Sequence, residues 1–177
     1  MTDIRPATAD DLPRIEEIYD AIHTAEETGT ASVGWARGAY PTRATAQAAL
    51  DDGALFVLTD GGVLVAAGRI DQVQVPVYAQ VPWQYAAPPE QVLVLHALAV
   101  DPAAAGRGYG TQFVRFYAQR ARALGCTALR IDTNAKNAAA RRLYARLGFR
   151  QAAIVPCTFN GIAGVELVCL EKRLDAE

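Results

Sequence analysis

The sequence predicts an α/β fold, and three observations carry that prediction. Apolar residues switch repeatedly between the runs typical of strands and the 3.6-residue period of helices. One nearly continuous apolar run, Val92 to Val100, leads into a glycine-bearing loop with helical spacing directly behind it. The length, 177 residues of which 51% are hydrophobic, suits one sizeable core and not two ordinary domains, so a single domain over 1–177 is expected.

Ile4-Arg5-Pro6-Ala7 reads as a short strand, ended by Thr8-Ala9-Asp10-Asp11, which supplies a helix N-cap and early acidic residues. Leu12, Ile15, Ile18, Tyr19 and Ile22 then recur at helical spacing, with His23 read as a surface residue of that helix. Thr28 to Gly38, rich in small residues and carrying Trp35, reads as a loop, and Pro41-Thr42-Arg43 opens a second helix to about Leu50. Ala54 to Thr59 and Val63 to Ile70 form a hairpin across Asp60-Gly61-Gly62. Val73 to Pro89 holds four prolines and no sustained period, a long segment of the kind that more often serves function.

The run Val92 to Val100 has the signature of a strand buried on both faces, stopped by Asp101-Pro102. A helix follows through Leu124, then a strand at Thr127 to Asp132 and a helix from about Asn137 that Gly148 caps. Phe149 to Pro156 and Val165 to Leu170 close the chain as two strands around Asn160-Gly161.

Composition excludes several classes. The 17 basic and 19 acidic residues leave a net charge of -2, against a protein built around the phosphate backbone of nucleic acid. The three cysteines, Cys126, Cys157 and Cys169, lie apart with no metal-ligand spacing and read as buried free thiols; no metal is expected. No apolar stretch approaches the length of a membrane span and no secretory signal is evident, so a cytoplasmic protein without membrane contact is expected.

The most informative stretch is Leu98-Ala99-Val100-Asp101-Pro102 followed by Gly106-Arg107-Gly108-Tyr109-Gly110-Thr111. Glycines let backbone N–H groups approach an anion, and a helix N-terminus adds unpaired donors and its dipole. The P-loop ending GK[ST] is absent, and Thr111 stands where a dinucleotide fingerprint needs its third glycine. Instead, the stretch resembles the acetyl-CoA motif of the GNAT acetyltransferase superfamily, Gln/Arg-x-x-Gly-x-Gly/Ala, with Ala105 at the Gln/Arg position. Asn137-Ala138-Ala139-Ala140-Arg141-Arg142-Leu143-Tyr144-Ala145-Arg146-Leu147-Gly148-Phe149 resembles the same family's N-x-x-A-x-x-L-Y-x-x-x-G-F block.

The resemblance implies a mixed, mostly antiparallel central sheet, flanked by helices and splayed between its middle strands at 92–100 and 127–132. Acetyl-CoA would wedge into that opening, paired along Leu98-Ala99-Val100 by backbone groups of Leu98 and Val100. The amides of Gly106, Arg107, Gly108, Tyr109, Gly110 and Thr111 would hold its pyrophosphate, and Asn137 would reach its arm. The implied activity is acetyl transfer to the amine of a small molecule by direct attack, without an acyl-enzyme. An N-terminal protein or peptide acetyltransferase and a non-catalytic CoA-binding sensor stay open as alternatives, as does a homodimer.

Chemistry fits residue types to roles. An aliphatic amine with a pKa of about 10.4 must lose its proton near pH 7, at a cost of roughly 4–5 kcal/mol, which a base helps to meet. His96 lies in a strand that resembles arylalkylamine N-acetyltransferases, where two alternate histidines stand; the first is Val94 here. Asp132, five residues before Asn137, is its rival, at the position where ribosomal-protein N-terminal acetyltransferases of the superfamily place an acidic base. Tyr144 is the candidate acid for the departing thiolate. Trp35, Tyr40, Trp83 and Tyr85 would either line the acceptor pocket or close gaps beneath loops. Arg115, Arg120, Arg122, Arg141, Arg142 and Arg146 read as solvated helix faces.

Overall fold

The structure, a computed structural model, describes residues 1–175. Its strands are β1 (Thr2–Pro6), β2 (Leu55–Asp60), β3 (Val63–Asp71), β4 (Val92–Val100), β5 (Ala128–Asn134), β6 (Arg150–Phe159) and β7 (Ile162–Arg173). The helices are α1 (Leu12–Glu27), α2 (Arg43–Asp51), α3 (Tyr109–Ala123) and α4 (Ala138–Arg146). The seven strands form one sheet in the order β1-β2-β3-β4-β5-β7-β6. Every neighbouring pair is antiparallel except β4 and β5.

Asp11 fixes the entry to α1, accepting the Thr8 backbone N–H at 2.8 Å and a two-pronged Arg5 guanidinium at 2.8 and 2.9 Å. Ile15, Ile18, Tyr19 and Ile22 then pack with α2 on one sheet face, against Leu55, Val57 and Ala67. His23 belongs to that stripe and is 4% exposed, not a surface residue; its Nε2 bonds the Pro41 carbonyl at 2.9 Å. The spacing Ile15, Ile18, Tyr19, Ile22, His23 is the i, i+3, i+4, i+7, i+8 pattern of a buried stripe. On the opposite face, Phe113, Val114, Tyr117 and Ala121 of α3 and Tyr144 of α4 pack on Leu93, Leu129 and Val168.

The sheet forks at its centre. Parallel pairing joins Val92–Leu95 to Ala128–Ile131, and no pairing with β5 extends beyond Leu95. On the other side of β4 the register with β3 slips: Ala67 faces Ala99 and Arg69 faces His96, so Ala97 and Leu98 share the single partner Gly68. This is a β-bulge, with Ala97 at φ 50°, and it bends β4 away from β5. A Cβ on Gly68 would lie 2.9 Å from the Phe113 ring, so α3 presses on the bulge where only glycine fits. Tyr117, fully buried, sets its hydroxyl 2.6 Å from the Leu93 carbonyl and 2.9 Å from that of Arg130, bridging the paired half of the fork.

Continuous burial of β4 therefore holds for Val92–Leu95, whereas His96, Ala97 and Leu98 are half-buried at the fork before Ala99 is buried again. Cys126 and Cys169 are buried free thiols and Cys157 is half-buried. No helix is long and apolar enough to cross a membrane among the described residues.

The segment between β3 and β4 is coil with short 3₁₀ turns, tied down through Glu171 of β7. That carboxylate is wholly buried, accepts the Gln84 and Tyr85 amides at 2.8 and 3.1 Å, and pairs with Arg150 at 2.7 Å. The loop after α1 is held by Glu26, which accepts the Val33 amide at 2.5 Å, and by Arg37, which reaches Asp20 and Glu27.

Candidate active site

Two cavities meet at the fork. The larger, about 590 Å³, runs from the bulged end of β4 past the glycine loop to the N-termini of α3 and α4. Gly106 and Gly108 both have φ 79°, a conformation glycine adopts without strain. Gly108 caps α3 without any side-chain hydrogen bond, so the first-turn amides of that helix stay available to an external acceptor. Asn137 caps α4 through Oδ1, accepting the Ala140 amide at 3.1 Å, and lines both cavities. Donor-rich backbone beside an unpaired strand end suits a ligand with phosphates and an extended amide-bearing arm.

The smaller cavity, about 120 Å³, lies across the fork. Trp35 and Tyr40, packed edge to face with centroids 6.1 Å apart, form part of its wall, and His96, Asp132 and Tyr144 line it together. Val33, Trp35, Leu98, Asn137, Ala140 and Tyr144 line both cavities, which makes them the passage between the two. Tyr144 is 5% exposed and its hydroxyl has no partner among the described residues. Burial, reinforced by the charge of Asp132, pushes its phenol far above the usual range, so it keeps its proton at neutral pH.

Each candidate base has a partner. His96 Nε2 lies 3.1 Å from Asp71 Oδ1, while Asp71 also accepts Arg69 Nε at 2.5 Å and the Val73 amide at 3.0 Å. Burial raises the Asp71 carboxyl, but the hydrogen bonds from His96 and Arg69 outweigh it and hold the group below its ordinary value. An ionised carboxylate only accepts, so Nε2 carries a proton, and in the neutral ring Nδ1 is then the lone-pair nitrogen. Asp132 accepts the Tyr78 hydroxyl at 2.7 Å, and burial pushes its carboxyl up despite that bond.

The sequence-derived cofactor residues Leu98, Val100, Gly106, Gly108, Tyr109, Gly110, Thr111 and Asn137 all line the larger cavity. Ala99 instead packs under α1 and α2, and Arg107 points into solvent. Arg146, read as a solvated residue, is exposed and also lines the cofactor side.

Trp35 and Tyr40 line the smaller cavity, whereas Trp83 and Tyr85 do not, and that pair fits the other reading, of closing gaps beneath a loop. Trp83 donates to the Tyr78 carbonyl at 3.0 Å and stacks 4.3 Å over Arg130, and the Tyr85 backbone is bound by Glu171, so both close the sheet beneath their loop. Sequence reasoning missed Asp71, Tyr78, Asn134, Phe159 and Asn160. The one available signal was the register: Asp71 faces Val94 on the adjacent strand, diagonal to His96.

The Acetyltransferase (GNAT) family model matches residues 12–149 of the sequence. No curated protein matches it. Among solved structures, a GNAT-family acetyltransferase from Streptococcus agalactiae 2603 has 22% identity over 99% of this chain and 96% of that one, with a TM-score of 0.82. The Salmonella typhimurium protein yncA, solved with its cofactor acetyl-CoA, has 23% identity over 99% and 95% of the two chains and a TM-score of 0.68. The ribosomal-protein-S18-alanine N-acetyltransferase of Escherichia coli has 21% identity over 100% and 96%, with a TM-score of 0.69. At these identities the structural likeness speaks for the fold alone, and the family rests on the sequence match across most of the chain. The chain belongs to the GNAT family of acetyl-CoA-dependent N-acetyltransferases.

Proposed function

We propose that the protein, as one domain, moves an acetyl group from acetyl-CoA to the amine of a small molecule by direct attack. The observation that carries this reading is the passage: Tyr144 borders both cavities, while His96 and Asp132 face only the smaller one. A proton donor thus stands where the two substrates meet, and two proton acceptors stand on the amine's side.

Acetyl-CoA supplies a thioester carbonyl and a thiolate leaving group. The amides at the start of α3 hold its phosphates, the open edge of β4 at Leu98 and Val100 pairs with its arm, and Asn137 Nδ2 donates to it. His96 Nδ1 takes the proton of the incoming amine, and Asp71 holds the ring in the tautomer that leaves this lone pair free. Tyr144 gives its proton to the departing sulfur. The reference thiol pKa is about 8.5 and that of tyrosine about 10, so the transfer needs local help. The burial that raises the phenol also raises the basicity of a thiolate formed beside it, so the gap does not widen.

The acceptor cavity of about 120 Å³ favours a small amine over a folded polypeptide. A peptide N-terminus is the second reading, supported by the raised carboxyl of Asp132 in the same cavity. Thiol release measured with acetyl-CoA and a panel of small amines and short peptides separates them. Turnover of amines with little on peptides is expected; turnover of peptides alone selects the second reading. Acetyl-CoA binding with no thiol release from any acceptor selects a CoA sensor instead. For the base, the acidic limb of kcat/KM against pH is expected to vanish in His96→Ala and to persist in Asp132→Asn; the opposite pattern makes Asp132 the base.

A further inference from the structure

We infer that the acceptor is an amine whose only charge is the reacting ammonium, and that the cavity discriminates against amino acids. The inference rests on the acceptor reading above and adds the substrate class. Among the described residues, Asp132 is the sole carboxylate lining the smaller cavity, and no lysine or arginine lines it. Asp132 Oδ2 accepts the Tyr78 hydroxyl at 2.7 Å, while Oδ1 has no hydrogen-bond partner and no cation pairs with either oxygen. An ammonium entering the cavity would complete this carboxylate. A ligand carboxylate would meet a like charge and no donor cation, at the penalty of an unpaired buried charge.

Four arginines near the cavity wall in sequence are engaged elsewhere, while Lys136, Arg142 and Arg146 are exposed and do not line the cavity. Arg69 bonds Asp71 and Asp52 at 2.5 and 2.7 Å. Arg37 reaches Asp20 and Glu27, Arg130 reaches Gln74 and Trp83, and Arg141 bonds the Ala135 carbonyl at 3.2 Å. None of these four lines the cavity. His96, the remaining titratable group apart from the tyrosines, has its Nε2 taken by Asp71. The rest of the wall, including Trp35, Tyr40, Val75, Phe159 and Ile162, offers aromatic and aliphatic contact to an uncharged body. Asn134, Asn137 and Asn160 add neutral polar groups.

Matched pairs that differ by one carboxylate test this: isoamylamine against leucine, and phenethylamine against phenylalanine, each at saturating acetyl-CoA. Thiol release is expected to favour each amine in kcat/KM by on the order of 100-fold, as a buried charge without a partner predicts. Amino acids within about threefold of their amines, or ahead of them, would overturn the inference. Calorimetry of the same pairs with the CoA-saturated protein reads the discrimination without turnover. Amines binding at least about tenfold more tightly while no acceptor releases thiol would sink the proposed activity and keep the inference; equal binding, or none, would sink the inference. Asp132→Asn is expected to weaken isoamylamine binding about tenfold and leave leucine unaffected, and unaltered amine binding would overturn the assigned role of the carboxylate.

Discussion

The two cavities at the fork are built by opposite means. The cofactor side presents main chain from a bulged strand, a glycine loop and the first turn of α3, and its lining comes from three blocks, 22–35, 98–111 and 137–146. The proposed acceptor side is made of side chains drawn from the loop after α1, the ends of β4 and β5, the start and middle of α4, the segment after β3 and the β6–β7 turn. Backbone donors recognise an invariant ligand whatever side chains surround them, and they depend on conformation. Side chains from six separate segments can be exchanged one at a time. A family with one donor and many acceptors would gain by this division.

The comparison can be broken most severely at Tyr144, which borders both sides. Tyr144→Phe is expected to lower kcat by about 10²–10⁴-fold while acetyl-CoA affinity, read by calorimetry, stays within about threefold. Equal losses in kcat and affinity would mean that the hydroxyl serves binding and not proton transfer. Gly108→Val should act on the cofactor side alone. A β-branched residue at φ 79° costs about 1–3 kcal/mol, so KM for acetyl-CoA should rise about 10- to 100-fold with KM for the amine little changed. A parallel rise in the amine's KM would show that the two cavities are not separable.

The smallest effect is expected at Trp83, which packs outside the acceptor cavity. Trp83→Ala should lower the melting temperature by several degrees through lost packing on Tyr78 and Arg130, with kcat/KM within about threefold. A larger activity loss would mean that Trp83 acts through the Tyr78–Asp132 hydrogen bond.

The same division decides what could be read from the sequence. The fold and the cofactor side follow from local patterns: Asp60-Gly61-Gly62 for the hairpin, the apolar period of 140–147 for α4, and the glycines before α3. These features need only neighbours along the chain. The acceptor side needs pairings that no local pattern encodes, such as Asp71 with His96 over 25 residues and Tyr78 with Asp132 over 54. Trp83 and Tyr85 show the converse case, since aromatics in a long loop suggest a binding wall until Glu171, 86 residues from Tyr85, is seen gripping the loop from below. His23 was legible in principle, because its position on the helical stripe outweighs its polarity once the Pro41 carbonyl supplies a partner.

The bulge opposite Gly68 behaves like a dislocation in a crystal: it marks where two stretches of otherwise regular lattice are out of step by one unit. A fault of that kind is erased by adding or removing a lattice unit, and an exchange of one unit for another leaves it in place. By the same logic, this stretch of β4 should accept changes of side chain more readily than changes of length. Losing Ala97 would leave Leu98 as the one partner of Gly68 between the pairs Arg69–His96 and Ala67–Ala99, straighten the strand and heal the fork at which the two cavities meet.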